Sequence, residues 1–233
     1  MTMSSTFIRY LGSDFALEDR FRILGNELQI NMNSYGALWT FLDLLRLKDQ
    51  ETFEHSLRVC LLGSAMAKLM HLDAKILFYA GALHDIGKAQ TNPETLKKTS
   101  GWTPADTTEI MNHVMDGYRL LRGQFDFSAE VILWHHRFQP NSYPTLDPTP
   151  LHKYSVGTQV MIPLFGRLLA LADQFDASHR LNDRFTGPPE SVGDWVKQKM
   201  FEGNPDQKSL IGAFYDAGIF TTKVFLEEPV VAA

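Results

Sequence analysis

His84 and Asp85 stand side by side with Lys88 three residues on, at the end of the apolar run 76–83. Adjacent His and Asp side chains reach one cavity only where a helix ends and its regular side-chain directions break down. Gly87 is expected to supply that break through backbone angles that other residues avoid. Groups of the same chemistry recur along the chain: Glu51, His55, His113, His135, His136 and Asp173. Each falls at an expected helix end or on an apolar helix face, where a titratable group is costly unless it is paired or metal-bound. Neutral imidazole with carboxylate suits borderline divalent ions such as iron, manganese or zinc. Eight candidate ligands exceed the needs of one ion, so two ions sharing a bridging carboxylate is the better count. Two such ions suit hydrolysis of a phosphate ester, because they activate water and neutralise phosphoryl charge.

Helices must carry these residues. Leu38, Trp39, Phe41, Leu42 and Leu45 recur at helical spacing over 35–47. A second helix is expected over 49–71, where His55, Val59, Leu62, Met66 and Leu69 share one face and Glu51 stacks a turn before His55. Asp73 is a plausible cap for a third helix over 73–83. Residues 89–104 read as a loop, 103–122 as one helix carrying His113, and 128–136 as a helix ending in the paired histidines. A proline-rich loop is expected up to Pro163, and loops of that length inside a compact domain are usually functional. Helices over 164–179, 190–202 and 206–217 follow, then a short β-leaning segment over 220–225. The reading is an all-α fold: a lead-in over 1–34, one domain over 35–217 and a tail over 218–233. His71 and His152 are left as surface or core residues, while His179 lies close to Asp173 in sequence.

The bulk composition narrows the classes. At 233 residues, 44% hydrophobic and 21% charged, the chain can bury one sizeable core. A net charge of -5 argues against nonspecific nucleic-acid binding, and no nucleic-acid polymer or membrane is expected as a partner. The single cysteine, Cys60, allows no internal disulfide and fits a reducing compartment. No basic flank followed by an apolar run opens the chain, and no stretch is expected to reach membrane-spanning length, so the expected location is cytoplasmic.

The order His55, His84-Asp85, Asp173 resembles the HD superfamily of metal-dependent phosphohydrolases. The longer match, over roughly 46–186, is to its HD-GYP subgroup, bacterial phosphodiesterases of cyclic di-GMP. Residues 51–59 (Glu51 to Val59) look like that subgroup's first helix motif, and residues 83–88 reproduce its signature segment. His113 with Gly117, the pair His135-His136, residues 162–167 and residues 172–177 follow in order. The resemblance implies that His55, His84, Asp85 and Asp173 hold one metal, with Asp85 bridging and catalytic, and that His113, His135 and His136 hold the other. Glu51 matches a position that in some members helps bind a third ion. Lys88 would meet the substrate phosphate or place the attacking water. Arg184 resembles the subgroup's phosphate-binding arginine, with two extra residues before it.

The loop departs from the subgroup. Arg137 replaces a glutamate, an Asp-Gly is missing, and Ser142-Tyr143-Pro144 stands where Gly-Tyr-Pro belongs. Arg137 is a candidate phosphate clamp. Tyr143 is a candidate for stacking on a base, or for packing the loop. The expected activity is phosphodiester hydrolysis of a cyclic dinucleotide by a hydroxide bridging two divalent metals. Iron or manganese come first, with nickel, zinc or magnesium also fitting. A signalling protein or a second copy of the chain are the expected macromolecular partners. The alternatives are an HD nucleotide phosphohydrolase with another substrate, a catalytically weak signalling or binding module, or a di-iron oxygenase.

Overall fold

A computed structural model describes residues 14–98, 100–145, 148–150, 152–179 and 192–221. Among these the fold is all-α, with no strand. Helices α1 (Asp14–Glu27), α2 (Met32–Lys48), α3 (Gln50–Leu69) and α4 (Ala74–Leu83) come first. A 3-10 turn over Ile86–Gln90 leads to α5 (Pro93–Leu96), α6 (Pro104–Met111), α7 (His113–Leu121) and α8 (Asp126–Ile132). Then come α9 (Val156–His179), α10 (Val192–Gly203) and α11 (Lys208–Asp216).

The central element is α3. Every residue from Thr52 to Ser64 is buried, because α1, α2, α4 and α9 pack around it. A helix covered on all sides must be apolar or pair its polar groups internally. Its Leu57, Val59, Cys60 and Leu62 do the first, while Glu54, His55 and Arg58 do the second. Asp49 starts the helix by accepting the Thr52 N–H at 2.9 Å.

Several expectations change. The lead-in is structured from Asp14: Leu17, Phe21 and Leu24 of α1 are buried, and Phe21 stacks on Phe78 at 4.8 Å. The helix expected over 103–122 is two, α6 and α7, interrupted at Asn112. The Ile110 carbonyl, which would close the next turn, accepts instead from the His113 ring. The proline-rich loop ends early, because Ser155 Oγ accepts the Thr158 N–H and starts α9 at Val156, with Pro163 inside the helix. That added length gives α9 the length and mean hydropathy of a membrane span, which the sequence was not expected to hold, but 56% of its apolar window is buried in the fold. Of the β-leaning segment, Phe220 lies flat on Phe175 at 4.4 Å without forming a strand, and residues from 222 on fall outside the described region.

The last change concerns Gly87, which lies in the 3-10 turn and not in the left-handed region. Its role is close approach. A Cβ there would sit 1.9 Å from the His113 carbonyl oxygen and 2.6 Å from the Gly117 amide nitrogen. Both obstacles are backbone, so neither can swing aside. Gly87→Ala is expected to destabilise the fold by about 3 kcal/mol, read as a lower urea midpoint. A midpoint within error of the parent would overturn this account of the turn.

Candidate metal centre

Three histidines share one construction. His84 lies just past α4, His113 just past α6 and His135 just past α8, where the last carbonyls of a helix lack partners. Each ring donates its Nδ1–H to the carbonyl three residues back: His84 to Gly81 (2.8 Å), His113 to Ile110 (2.5 Å) and His135 to Ile132 (2.5 Å). A carbonyl only accepts, so each Nδ1 carries the proton and each Nε2 turns inward as a bare lone pair. His55 reaches the same state from α3, donating Nδ1–H to Asp176 Oδ2 at 2.7 Å. Arg58 holds that carboxylate from the other side, Nε to Oδ1 at 2.7 Å and Nη2 to Oδ2 at 3.1 Å.

The inward nitrogens meet one another. His55 Nε2 lies 3.2 Å from His84 Nε2, and His113 Nε2 lies 3.4 Å from His135 Nε2. Asp173 Oδ1 is 3.1 Å from His55 Nε2 and 3.9 Å from His84 Nε2. With both Nδ1 atoms of a pair already protonated, such contacts set lone pair against lone pair. A shared cation relieves them. His55, His84 and Asp85 form one group able to hold a metal ion, and His113, His135 and His136 form a second. Asp85 lies between the groups: Oδ2 is 3.4 Å from His84 Nε2 and 3.7 Å from His55 Nε2, while Oδ1 is 3.3 Å from His113 Nε2. The donor set therefore fits a pair of divalent ions.

The sequence-derived candidates divide clearly. His55, His84, Asp85, His113, His135, His136 and Asp173 are brought together. Lys88 joins them, its Nζ 2.6 Å from Asp85 Oδ2. Glu51 is exposed and lines a neighbouring pocket with Lys88, Lys97 and Lys98, outside both metal-holding groups. Arg137 lays its guanidinium over the Trp134 ring at 4.8 Å and is not among the residues lining the cleft over the centre. Tyr143 stacks on His136 at 4.5 Å. Arg184 lies outside the described residues. His179 turns away, donating to the Phe175 carbonyl, while His71 and His152 are exposed.

Two features were missed. Asp176, with Arg58, orients His55; its signal was its place one turn after Asp173 on the same apolar helix face. The second is the far side of the cleft. This cavity of about 840 Å³ opens over His55, Lys88, His136 and Asp173, and Trp195, Lys199 and Glu202 of α10 wall it. No motif marks that helix.

A family model for the HD domain matches residues 52–178. The chain belongs to the HD domain family. It is 32% identical over 145 residues to a cyclic di-GMP phosphodiesterase of Pseudomonas aeruginosa, covering 58% of this chain and 33% of that protein. It is 31% identical over 137 residues to a 3'3'-cGAMP-specific phosphodiesterase of Vibrio cholerae, covering 56% of this chain and 29% of that one. The chain thus spans about a third of the length of these curated relatives. The HD domain of the L. monocytogenes phosphodiesterase PgpH has the same fold, with a TM-score of 0.51 at 17% identity over 79% of this chain and 94% of that one.

Burial dominates the electrostatics. It pushes His113 down to about 3 and His136 to about 4, and holds His135 well below the ordinary imidazole value. For His84 burial acts the same way and is the largest single influence, but Asp85, Asp173 and the Gly81 carbonyl together outweigh it and raise the pKa. Burial raises Asp85 and Asp173, yet Lys88 and His84 around the first and His55 and His84 around the second hold both well below the carboxylate range. The three lowered imidazoles stay neutral in the fold while the unfolded chain takes up protons below about pH 6.5. Their stabilisation is present above that pH and is lost as pH falls towards 4. His84 contributes oppositely, its share being present below about pH 6.5 and fading as pH rises through its folded value. The depressed carboxylates lose their share only below about pH 4. Three groups oppose one, so the metal-free chain is expected to lose at least about 1.4 kcal/mol between pH 6.5 and 4.5. Urea titrations at the two pH values check it, and a midpoint that holds or rises towards pH 4.5 counts against it.

Proposed function

We propose that this centre is a two-metal phosphodiesterase site whose substrate is a cyclic dinucleotide. One observation carries the reading: the Asp85 carboxylate divides its oxygens between two imidazole groups, Oδ2 towards His84 and His55 and Oδ1 towards His113. A carboxylate shared between two imidazole groups, with a second carboxylate, Asp173, on one side, is a donor pattern that suits a paired transition-metal site, with iron or manganese as the ions we favour. His55, His84, Asp85 and Asp173 would hold one ion, and His113, His135, His136 and Asp85 the other. When bound, such a pair supplies an activated water and neutralises charge on the phosphoryl oxygens.

The chain's own residues do the rest. The Nδ1 anchors fix the tautomer and direction of His55, His84, His113 and His135, so these four rings need no reorganisation as charge develops. Lys88, in the cleft wall beside Asp85, turns its ammonium to a non-bridging phosphate oxygen. Tyr143 keeps the His136 ring in plane by stacking on it. The names of the relatives support a cyclic dinucleotide as the substrate class. A second reading, in which the same centre cleaves another nucleotide ester, draws on the altered loop. There Arg137 is engaged by Trp134 and Tyr143 by His136, so neither side chain lines the cleft.

Elemental analysis of the purified protein is expected to find about two metals per chain. Assays with cyclic di-GMP, cyclic GMP-AMP and a generic diester should show turnover that falls roughly a thousandfold in Asp85→Ala, equivalent to several kcal/mol of lost charge stabilisation. Protein that stays inactive after reconstitution with iron, manganese or nickel sinks the reading, and turnover of monoesters alone favours the second. Asp176→Asn is expected to weaken one of the two metals by about 10–100-fold and spare the other. Equal weakening of both would show that Asp176 does not act through His55.

A further inference from the structure

From the cleft's far side we infer that α10 is its recognition wall, Trp195 stacking on a nucleobase and Lys199 meeting a phosphate away from the centre. The inference rests on the phosphodiester reading above and names what holds the rest of the substrate. Helix α10 has two faces. Val192, Val196 and Met200, four residues apart, are buried against the core. Trp195, Lys199 and Glu202 form the adjoining stripe and line the same cleft as His55, Lys88, His136 and Asp173. A ligand held over the centre therefore has this stripe opposite it.

The stripe's chemistry suits a nucleotide. Trp195 is half-buried and lines the cleft beside the polar Lys199 and Glu202. A flat π-face beside a cation is the arrangement that binds bases without needing to read their edges. Lys199 is exposed and pairs with Glu202, one turn on along α10, at 2.8 Å. Both partners are about half exposed, so exchanging that carboxylate for a phosphate costs little.

The wall is also fixed in place. Asn204, just past α10, donates through Nδ2 to Gln174 Oε1 and to the Met200 carbonyl, both at 2.8 Å. Gln174 is the residue after Asp173. Gly203 lets the two segments close, since a Cβ there would lie 2.9 Å from Gln174 Nε2. The distance from the metal centre to the indole is thus set by a short polar clamp.

The test is binding to the metal-loaded full chain, with cyclic di-GMP as probe and inorganic phosphate as control, alongside cleavage assays. Cyclic di-GMP is expected to quench tryptophan fluorescence, and Trp195→Phe to remove most of that quench while retaining affinity. Trp195→Ala and Lys199→Ala should each weaken cyclic di-GMP roughly tenfold, with phosphate binding unchanged. Variants that bind the dinucleotide as the parent does, or that lose phosphate in equal proportion, overturn the wall. So does a parent chain that fails to bind the dinucleotide. A parent that binds at Trp195 without cleaving supports the wall and fails the hydrolysis alone; variants that cleave with parental affinity do the reverse.

Discussion

Asp85 is 1% exposed and ionised, and a carboxylate survives such burial only inside a shell of donors and cations. That requirement organises much of the molecule. Lys88 reaches Asp85 because the chain tightens into a 3-10 turn immediately after it, which brings residue i+3 back over the carboxylate. His113 reaches it because Gly87 lets the turn lie against the start of α7 without an intervening Cβ. His84 and His55 complete the shell from α4 and α3, the two helices in most extensive contact. Loosening any one of these leaves a buried charge short of a partner.

Helix α9 solves the matching problem on the opposite side. Asp173 and Asp176 lie one turn apart on a helix otherwise lined by Leu168, Leu169, Leu171, Ala172 and Phe175. The first faces the imidazole lone pairs, and the second accepts the His55 Nδ1–H and a two-pronged hydrogen bond from Arg58. Removing one member of a buried pair such as Arg58–Asp176 costs about 3–5 kcal/mol. The pair therefore couples stability to ring orientation: the contact that keeps α3 and α9 together also aims His55.

What could be read from the sequence follows from how local each signal is. His84-Asp85, His135-His136 and Asp173 stood out because polar groups interrupt apolar runs, and interruption is visible in one dimension. Helix α3 was legible through its period, with His55, Val59, Leu62, Met66 and Leu69 on one face. The break at Asn112 was not, because it arises from a ring-to-carbonyl hydrogen bond that competes with the helix ladder. The start of α9 was misplaced because proline was weighed as a stop, whereas Ser155 supplies a start eight residues earlier. Arg137 looked like a phosphate clamp by its neighbours, but the nearest aromatic face, Trp134, claims it. Phe21 belongs to the core through a partner, Phe78, far along the chain.

The centre and the walls of the cleft are held by different kinds of contact, and this has a physical consequence. Of the rings of the centre, His84, His113 and His135 are anchored within three residues to a helix end and His55 to a fully buried carboxylate, while His136 Nδ1 meets the Gln139 side chain, at 3.0 Å. The α10 wall is joined to the centre through longer-range polar links instead: Gln174 to Asn204, and Arg167 to Asp206 at 2.7 Å. Arg167 also lies over Phe138 at 4.6 Å, so one buried side chain spans the C-terminal segment and the altered loop. A change in α10 or in the 137–144 loop can shift the cleft's width and charge while leaving the Nδ1 anchors intact. The anchored rings are therefore the part of this architecture least exposed to such changes, and the proposed choice of substrate would fall to elements one helix further out.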